Sequence, residues 1–266
     1  VIATLPPRPL IDDRYMNRRV IVHDVEAGET AAEFPNIGKL GPVRMSPDGE
    51  RIAMISAADR NDPHAGQLMV GSASGGERED LFPDWEGHIA AFAWKDADTL
   101  LFLADEGVES RISEIDLDSR EVRTFYDSGE TRADDPDAPV FSSMEISVDR
   151  TRVVLEGSTW KHPDEVFTLP VAQTGSDAPQ RITDSNPWLA EVEMARQELV
   201  RYEARDGLEI EGLLIRPLAM HHGDPPPLML VVHGGPEAHY RNGWMSYYSR
   251  PGQVAAAQGY AVFYPN

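Results

Sequence analysis

The chain has 266 residues, 41% apolar and 8% aromatic, with 45 acidic against 24 basic side chains, a formal net charge of −21 and no cysteine. That length holds one or two domains of roughly 100–200 residues each, and the acidity excludes the basic footprint that non-specific binding to nucleic acid or an anionic membrane needs. Disulfides and cysteine-ligated metals are excluded outright, and no apolar run approaches the ~18 residues of a membrane span.

The first residues, Val1-Ile2-Ala3-Thr4-Leu5-Pro6-Pro7, show no charged region followed by an apolar core, so no signal peptide is visible in this stretch. The chain lacks an initial Met and stops at Asn266 directly after a strand-like run, so it reads as a piece of a longer protein. The compartment, cytoplasmic or periplasmic and secreted, stays open.

Up to about residue 185 the chain repeats itself. One half-unit is a hairpin around a polar turn: Val43-Arg44-Met45-Ser46-Pro47-Asp48-Gly49 before Ile52-Ala53-Met54-Ile55, Ala93-Trp94-Lys95-Asp96-Ala97-Asp98 before Leu100-Leu101-Phe102-Leu103, and Met144-Glu145-Ile146-Ser147-Val148-Asp149 before Val153-Val154-Leu155. The other half-unit starts at Val20, Gln67, Ile112 and Val166. Four strands in a period of about 50 residues predict propeller blades rather than a generic sandwich. About four blades fit, the first short of its turn hairpin, and an open array would leave strand edges exposed. Upstream blades are therefore expected to be missing.

Acidic clusters at Glu77-Arg78-Glu79-Asp80 and Asp134-Asp135-Pro136-Asp137 lack the calcium-loop spacing and read as solvated loops. The eight histidines show no metal-ligand spacing, and His221-His222 reads as surface. No metal and no cofactor are expected.

The repeat ends in a turn cluster, Thr183-Asp184-Ser185-Asn186-Pro187. Residues 188–196 fit either two helical turns or a linker. Two alternating runs around Asp206-Gly207 then predict an antiparallel hairpin with a two-residue turn. Residues 228–232, five apolar residues between Pro227 and His233, read as a strand buried on both faces. His233-Gly234-Gly235-Pro236 follows at its carboxyl end, where open α/β sheets place their sites. It is close to the HGGG-type oxyanion turn of esterases. An Ala-rich helix ends at Gly259 as the C′ residue, and Tyr260-Ala261-Val262-Phe263-Tyr264 is a second buried strand, expected to leave an apolar edge.

At this point the chain resembles the prolyl oligopeptidase family of serine peptidases, and within it the acylaminoacyl-peptidase-like branch. The resemblance rests on the repeats, on the Arg205-Asp206-Gly207-Leu208-Glu209-Ile210-Glu211-Gly212 hairpin, and on Val232-His233-Gly234-Gly235-Pro236 followed by Gly259-Tyr260-Ala261-Val262-Phe263-Tyr264-Pro265-Asn266. It implies all-β propeller blades over residues 1–187 followed by the start of an α/β-hydrolase domain over 188–266. The partner it implies is a peptide or small acyl substrate, with no nucleic acid and no membrane; a homo-oligomer stays open. By the same resemblance His233, Gly234, Gly235 and Pro236 form the oxyanion loop, with the Gly235 N–H as donor. Tyr240, Asn242 and Trp244 are candidates to line the substrate site, packing being the alternative. No G-x-S-x-G occurs; Gly71-Ser72-Ala73-Ser74-Gly75 has Ala73 where the nucleophile would stand. The triad is expected beyond Asn266, so the fragment alone is expected to be inactive. A binding module with a non-catalytic hydrolase partner, and an esterase on the same fold, are the competing readings.

Overall fold

The protein is described here by a computed structural model covering residues 1–266 except 37, 63, 65, 134, 173–177, 220–224, 236 and 237. Asp134, His221, His222 and Pro236 therefore lie outside the described residues.

The recurring turn builds itself from its own side chains. The Ser46 hydroxyl donates to Asp48 Oδ1 at 2.5 Å and accepts from the Arg51 N–H at 2.9 Å, while Asp48 accepts from the Glu50 N–H at 3.1 Å. Gly49 has φ +81°, a region open to it because it has no Cβ. Ser147 and Asp149 repeat the arrangement, at 2.7 Å from hydroxyl to carboxylate and 3.0 Å from the Arg152 N–H to Ser147.

These turns sit within successive sheets. The first sheet holds β1 (Ile2–Leu5), β2 (Arg19–Asp24) and β3 (Glu29–Phe34), with helix α1 (Ile11–Met16) between β1 and β2. The second holds β4 (Leu40–Met45), β5 (Arg51–Ser56), β6 (Gln67–Ser72) and β7 (Arg78–Asp80). The third holds β8 (His88–Trp94), β9 (Thr99–Glu106), β10 (Glu109–Asp116) and β11 (Val122–Asp127), followed by helix α2 (Ser128–Arg132). The fourth holds β12 (Val140–Ile146), β13 (Arg152–Thr159), β14 (His162–Pro170) and β15 (Gln180–Arg181). All pairs in these four sheets are antiparallel between strands adjacent in sequence.

Alternate residues of one strand feed two cores, because successive side chains point to opposite faces. In β5, Ile52 and Met54 enter the core shared with Val20 and Phe34 of the first sheet. Ala53 and Ile55 enter the core shared with Phe92, Leu100 and Phe102 of the third. In β9, Leu101 and Leu103 turn the other way, onto Phe141, Val153 and Leu155 of the fourth. Strands buried on both faces read as continuous apolar runs, as Leu100-Leu101-Phe102-Leu103 does. β13 differs: Val153 and Leu155 are buried while Arg152, Val154 and Glu156 are exposed.

A 3₁₀ turn, Pro187–Glu191, follows the fourth sheet, and the chain then runs extended into the fifth. That sheet contains β16 (Gln197–Glu203), β17 (Glu209–Ile215), β18 (Leu228–Leu230) and β19 (Ala261–Pro265), in the order β16-β17-β19-β18. β18 and β19 pair in parallel, joined by a connection that contains helix α3 (Gly252–Ala257). The helix ends as its glycine demands. Gly259 has φ +87°, its N–H donates to Ala256 O at 3.1 Å, and the Tyr260 N–H reaches back to Ala255 O at 3.1 Å. In sum of elements the chain is all-β, with sheets of strands and few helices among the described residues.

Three local expectations are corrected. The run at 228–232 is not buried on both faces. Its strand is three residues long at the sheet edge, with Leu228, Leu230 and Val232 exposed and only Met229 and Val231 turned into the core. The core of this sheet gathers Leu213, Ile215, Val262 and Tyr264 with Ala255 and Ala256 of α3, and with Tyr240, Met245 and Val108. The strand expected at 260–264 to expose an edge lies instead between β17 and β18, with Tyr264 wholly buried. And the Asp206-Gly207 hairpin closes with three loop residues, since Ala204 pairs with Leu208 (N–O 2.8 Å) and the Gly207 N–H donates to Ala204 O at 3.0 Å.

Candidate active site

The loop after β18 is anchored from behind. Tyr240 is buried against Tyr264, their rings 5.1 Å apart, and its hydroxyl donates to Val231 O at 3.2 Å. The Tyr240 N–H donates to Asn266 Oδ1 at 2.7 Å, and Asn266 Nδ2 donates back to Tyr240 O at 3.0 Å. Residues 231 and 240 are thus held at one spot, and between them Gly234, Gly235 and Ala238 are exposed. The His233 ring sits edge-on to Tyr240 at 5.5 Å. Gly235 has φ +103°, a conformation that belongs to glycine. Among the described residues, a Cβ on Gly234 would meet nothing within 4 Å, and one on Gly235 only Ala238, at 3.6 Å. The backbone here is open for a ligand to approach.

Beyond the loop, the chain packs against the third and fourth sheets. Asn242 is buried; its side-chain amide donates to Glu109 Oε1 at 2.8 Å and its oxygen accepts from Gln197 at 3.0 Å. Its own N–H donates to Val108 O at 2.7 Å. Trp244 donates its backbone N–H to Ser158 Oγ at 3.2 Å and its indole N–H to Ser246 O at 2.7 Å. Of the three residues expected near a substrate, Tyr240 and Asn242 make packing and inter-sheet contacts, and Trp244 borders a cavity of about 190 Å³ together with Asp164, Tyr247 and Arg250.

The residues that sequence reasoning missed lie alongside. Arg241 makes a two-pronged ion pair with Asp105 at the end of β9, Nε–Oδ1 2.7 Å and Nη2–Oδ2 2.6 Å, with the Asp105 side chain only 3% exposed. His239 Nε2 lies 3.6 Å from the same carboxylate, buried and without a hydrogen bond. A cavity of about 430 Å³ opens beside them, lined by His64, His88, Ala90, Ser142, Ala238, His239 and Arg241. Burial, then the neighbouring His64, push His88 down to about 4 against the pull of Asp105. Burial likewise lowers His239. The cavity therefore presents His88 and His239, whose protonated forms burial disfavours, beside a guanidinium whose charge Asp105 already balances. A signal was present in Leu101-Phe102-Leu103-Ala104-Asp105, an acidic side chain ending a buried run; its partner 136 residues away was not visible.

His88 sets a pH response. Its protonated form is disfavoured in the folded state, so the unfolded chain takes up the proton first as pH falls. Stability is then lost between pH 6.5 and about 4, on the order of 1–2 kcal/mol once screening of this half-buried ring is allowed for. Urea denaturation at pH 7 and pH 4.5 is expected to show a smaller drop for His88→Gln than for the parent chain; equal drops would remove His88 as the cause.

Comparison with known proteins gives the context for this geometry. No protein-family profile matches the chain. An uncharacterized peptidase of Bacillus subtilis, YuxL, is 29% identical over 125 residues, 47% of this chain and 18% of that protein. Dipeptidyl-peptidase 5 of Aspergillus oryzae is 23% identical over 236 residues, 86% of this chain and 30% of that protein. The chain thus spans less than a third of either relative. Its fold matches that of the Pyrococcus horikoshii acylaminoacyl peptidase with a TM-score of 0.71 at 19% identity, over 100% of this chain and 38% of that one. By sequence its relatives are peptidases, and its fold is the one seen in acylaminoacyl peptidase structures.

Proposed function

We propose that the chain is part of a serine-type peptidase that hydrolyses short peptides or acyl-aminoacyl substrates through an acyl-enzyme, with its catalytic triad supplied by sequence outside these 266 residues. In this reading residues 1–187 are about four blades of a β-propeller and 188–266 begin an α/β-hydrolase domain. The cores shared by successive sheets support the first part. The parallel β18–β19 pair supports the second. The observation that carries the function is the Gly234-Gly235 turn, set just after the edge strand of the parallel pair, with positive φ at Gly235 and open space at both glycines. A backbone N–H offered there is suited to a developing oxyanion. His233 and Pro236 flank the turn, and Trp244, by its cavity, is the one of the three expected lining residues kept on the substrate side.

The test is a panel of aminoacyl-nitroanilides, acyl-aminoacyl-nitroanilides and short acyl nitrophenyl esters, with fluorophosphonate labelling, on the full-length protein. Nitroanilide turnover with stoichiometric labelling is the expected result. Ester turnover alone would replace the peptidase by an esterase, and no labelling at all would favour a binding module. The 266-residue chain by itself is expected not to label.

A further inference from the structure

Gly234 and Gly235 have no side chains with which to hold their own direction, so their loop takes it from its ends. One end is gripped by a hairpin far away in sequence. β9 and β10 are joined by the two-residue turn Gly107-Val108. Gly107 has φ +58° and stands first in the turn, where tight hairpins favour glycine. A Cβ there would collide with the Glu211 carboxylate of β17, so the tip lies close against the fifth sheet. Val108 is 1% exposed and belongs to the core of that sheet, buried with Tyr240, Met245, Leu213 and Ile215. A hairpin tip ordinarily runs over the surface; this one ends in an apolar plug.

Residues on both sides of the plug hold the chain that leaves the glycine loop. Asp105 takes both prongs of the Arg241 guanidinium, at 2.7 and 2.6 Å. The Val108 carbonyl accepts from the Asn242 N–H at 2.7 Å, and Glu109 Oε1 accepts from the Asn242 side-chain amide at 2.8 Å. Glu109 is itself fixed by Arg132, at 3.1 and 3.0 Å, and by the Ser128 hydroxyl at 2.7 Å. Bonds to ionised groups are the strong ones, so this end of the loop is held firmly. Asn242 Oδ1 then accepts from Gln197 of β16 at 3.0 Å, which ties the grip to the fifth sheet. Tyr240 carries it to the other end of the loop: it shares the core with Val108, and its hydroxyl donates to Val231 O at 3.2 Å.

We propose that Asp105, Val108 and Glu109 are positioning residues for the glycine loop, so that the third sheet, through this hairpin tip, sets the direction of the Gly235 N–H. The catalytic consequence rests on the peptidase reading above; the mechanical one, that the tip holds both ends of the loop in place, does not.

The experiment is residue-level hydrogen exchange with steady-state kinetics on the full-length protein, comparing the parent with Val108→Ala, Glu109→Ala and Glu109→Gln. The reporters are the Val231 and Tyr240 N–H groups, bonded to Phe263 O at 2.9 Å and to Asn266 Oδ1 at 2.7 Å rather than to the hairpin. They are read against amides of β13, which register any global loss of stability. Val108→Ala and Glu109→Ala are expected to speed exchange at both reporters about 2–30-fold beyond β13, the range seen when a packed network is interrupted. Nitroanilide kcat per labelled site should fall by a similar factor, with KM changing less. Glu109→Gln keeps an acceptor for Asn242 and should stay close to the parent. If Glu109→Ala does not fold, Val108→Ala decides. Reporter exchange that rises no more than that of β13 overturns the proposal, since the hairpin then only adds stability. Faster exchange with unchanged kcat overturns the catalytic consequence and leaves the peptidase reading standing. A parent that neither labels nor turns over removes that reading, and the exchange result still decides whether the tip holds the loop.

Discussion

Gly235→Val in the full-length protein is expected to lower kcat about 10²–10³-fold, the loss that follows removal of one oxyanion-hole donor. Two physical effects combine. Gly235 has φ +103°, which a residue with a Cβ adopts only under strain, on the order of 1–3 kcal/mol. The substitution therefore turns the peptide plane, and with it the N–H, away from its direction. Among the described residues the Cβ meets only Ala238, at 3.6 Å, so under the proposed role the added bulk would crowd the space a tetrahedral intermediate needs. KM should change less, because the ground-state carbonyl draws less on such a donor than the transition state does. If the glycine serves only the strand-to-loop turn, the strain appears as lost stability and each folded molecule turns over normally. Measuring kcat per titrated active site beside a thermal melt separates the two: normal turnover with a lowered melting temperature would end the oxyanion role.

Arg241→Met is expected to destabilise the chain by about 3–5 kcal/mol, the cost of breaking a buried ion pair from one side. Asp105 is 3% exposed and takes both prongs of the guanidinium, at 2.6 and 2.7 Å. Asp105 holds Arg241 above its ordinary range, even though burial works to lower it. Without Arg241 the carboxylate keeps no hydrogen-bonded cation among the described residues: His239 lies 3.6 Å away and is not hydrogen-bonded, and His88 is a neighbour held largely neutral by burial. The double change Asp105→Leu with Arg241→Met removes both charges and should recover much of the loss, since well-packed apolar pairs often replace buried ion pairs at little cost. Urea denaturation of the parent, both single variants and the double variant gives the coupling energy. Additive effects would show that the pair contributes no more than its separate packing.

The parts of this fold that were legible depend on neighbours in sequence. The Ser-x-Asp turns at 46–49 and 147–150 announce themselves because their hydrogen bonds close within five residues. Gly259 announces a helix end because its own φ is the reason for the ending. The continuous run Leu100-Leu101-Phe102-Leu103 announces a strand between two cores because each face buries alternate side chains. The same rule misled at residues 228–232, where an equally apolar run is an edge strand with Leu228, Leu230 and Val232 exposed. Apolarity states what a face prefers to meet; it does not supply the element that meets it.

The sequence by itself determined the repeated hairpins, the glycine turn after β18 and the resemblance to a peptidase, because each is written in residues a few positions apart. Only the tertiary structure decided which charges and rings share a site. Asp105 meets Arg241 across 136 residues, Asn242 meets Glu109 across 133, and His64 and His88 meet His239 around one cavity. Such meetings follow from how sheets stack and where the last sheet docks, a sum of many apolar contacts, and no local pattern in the chain encodes them.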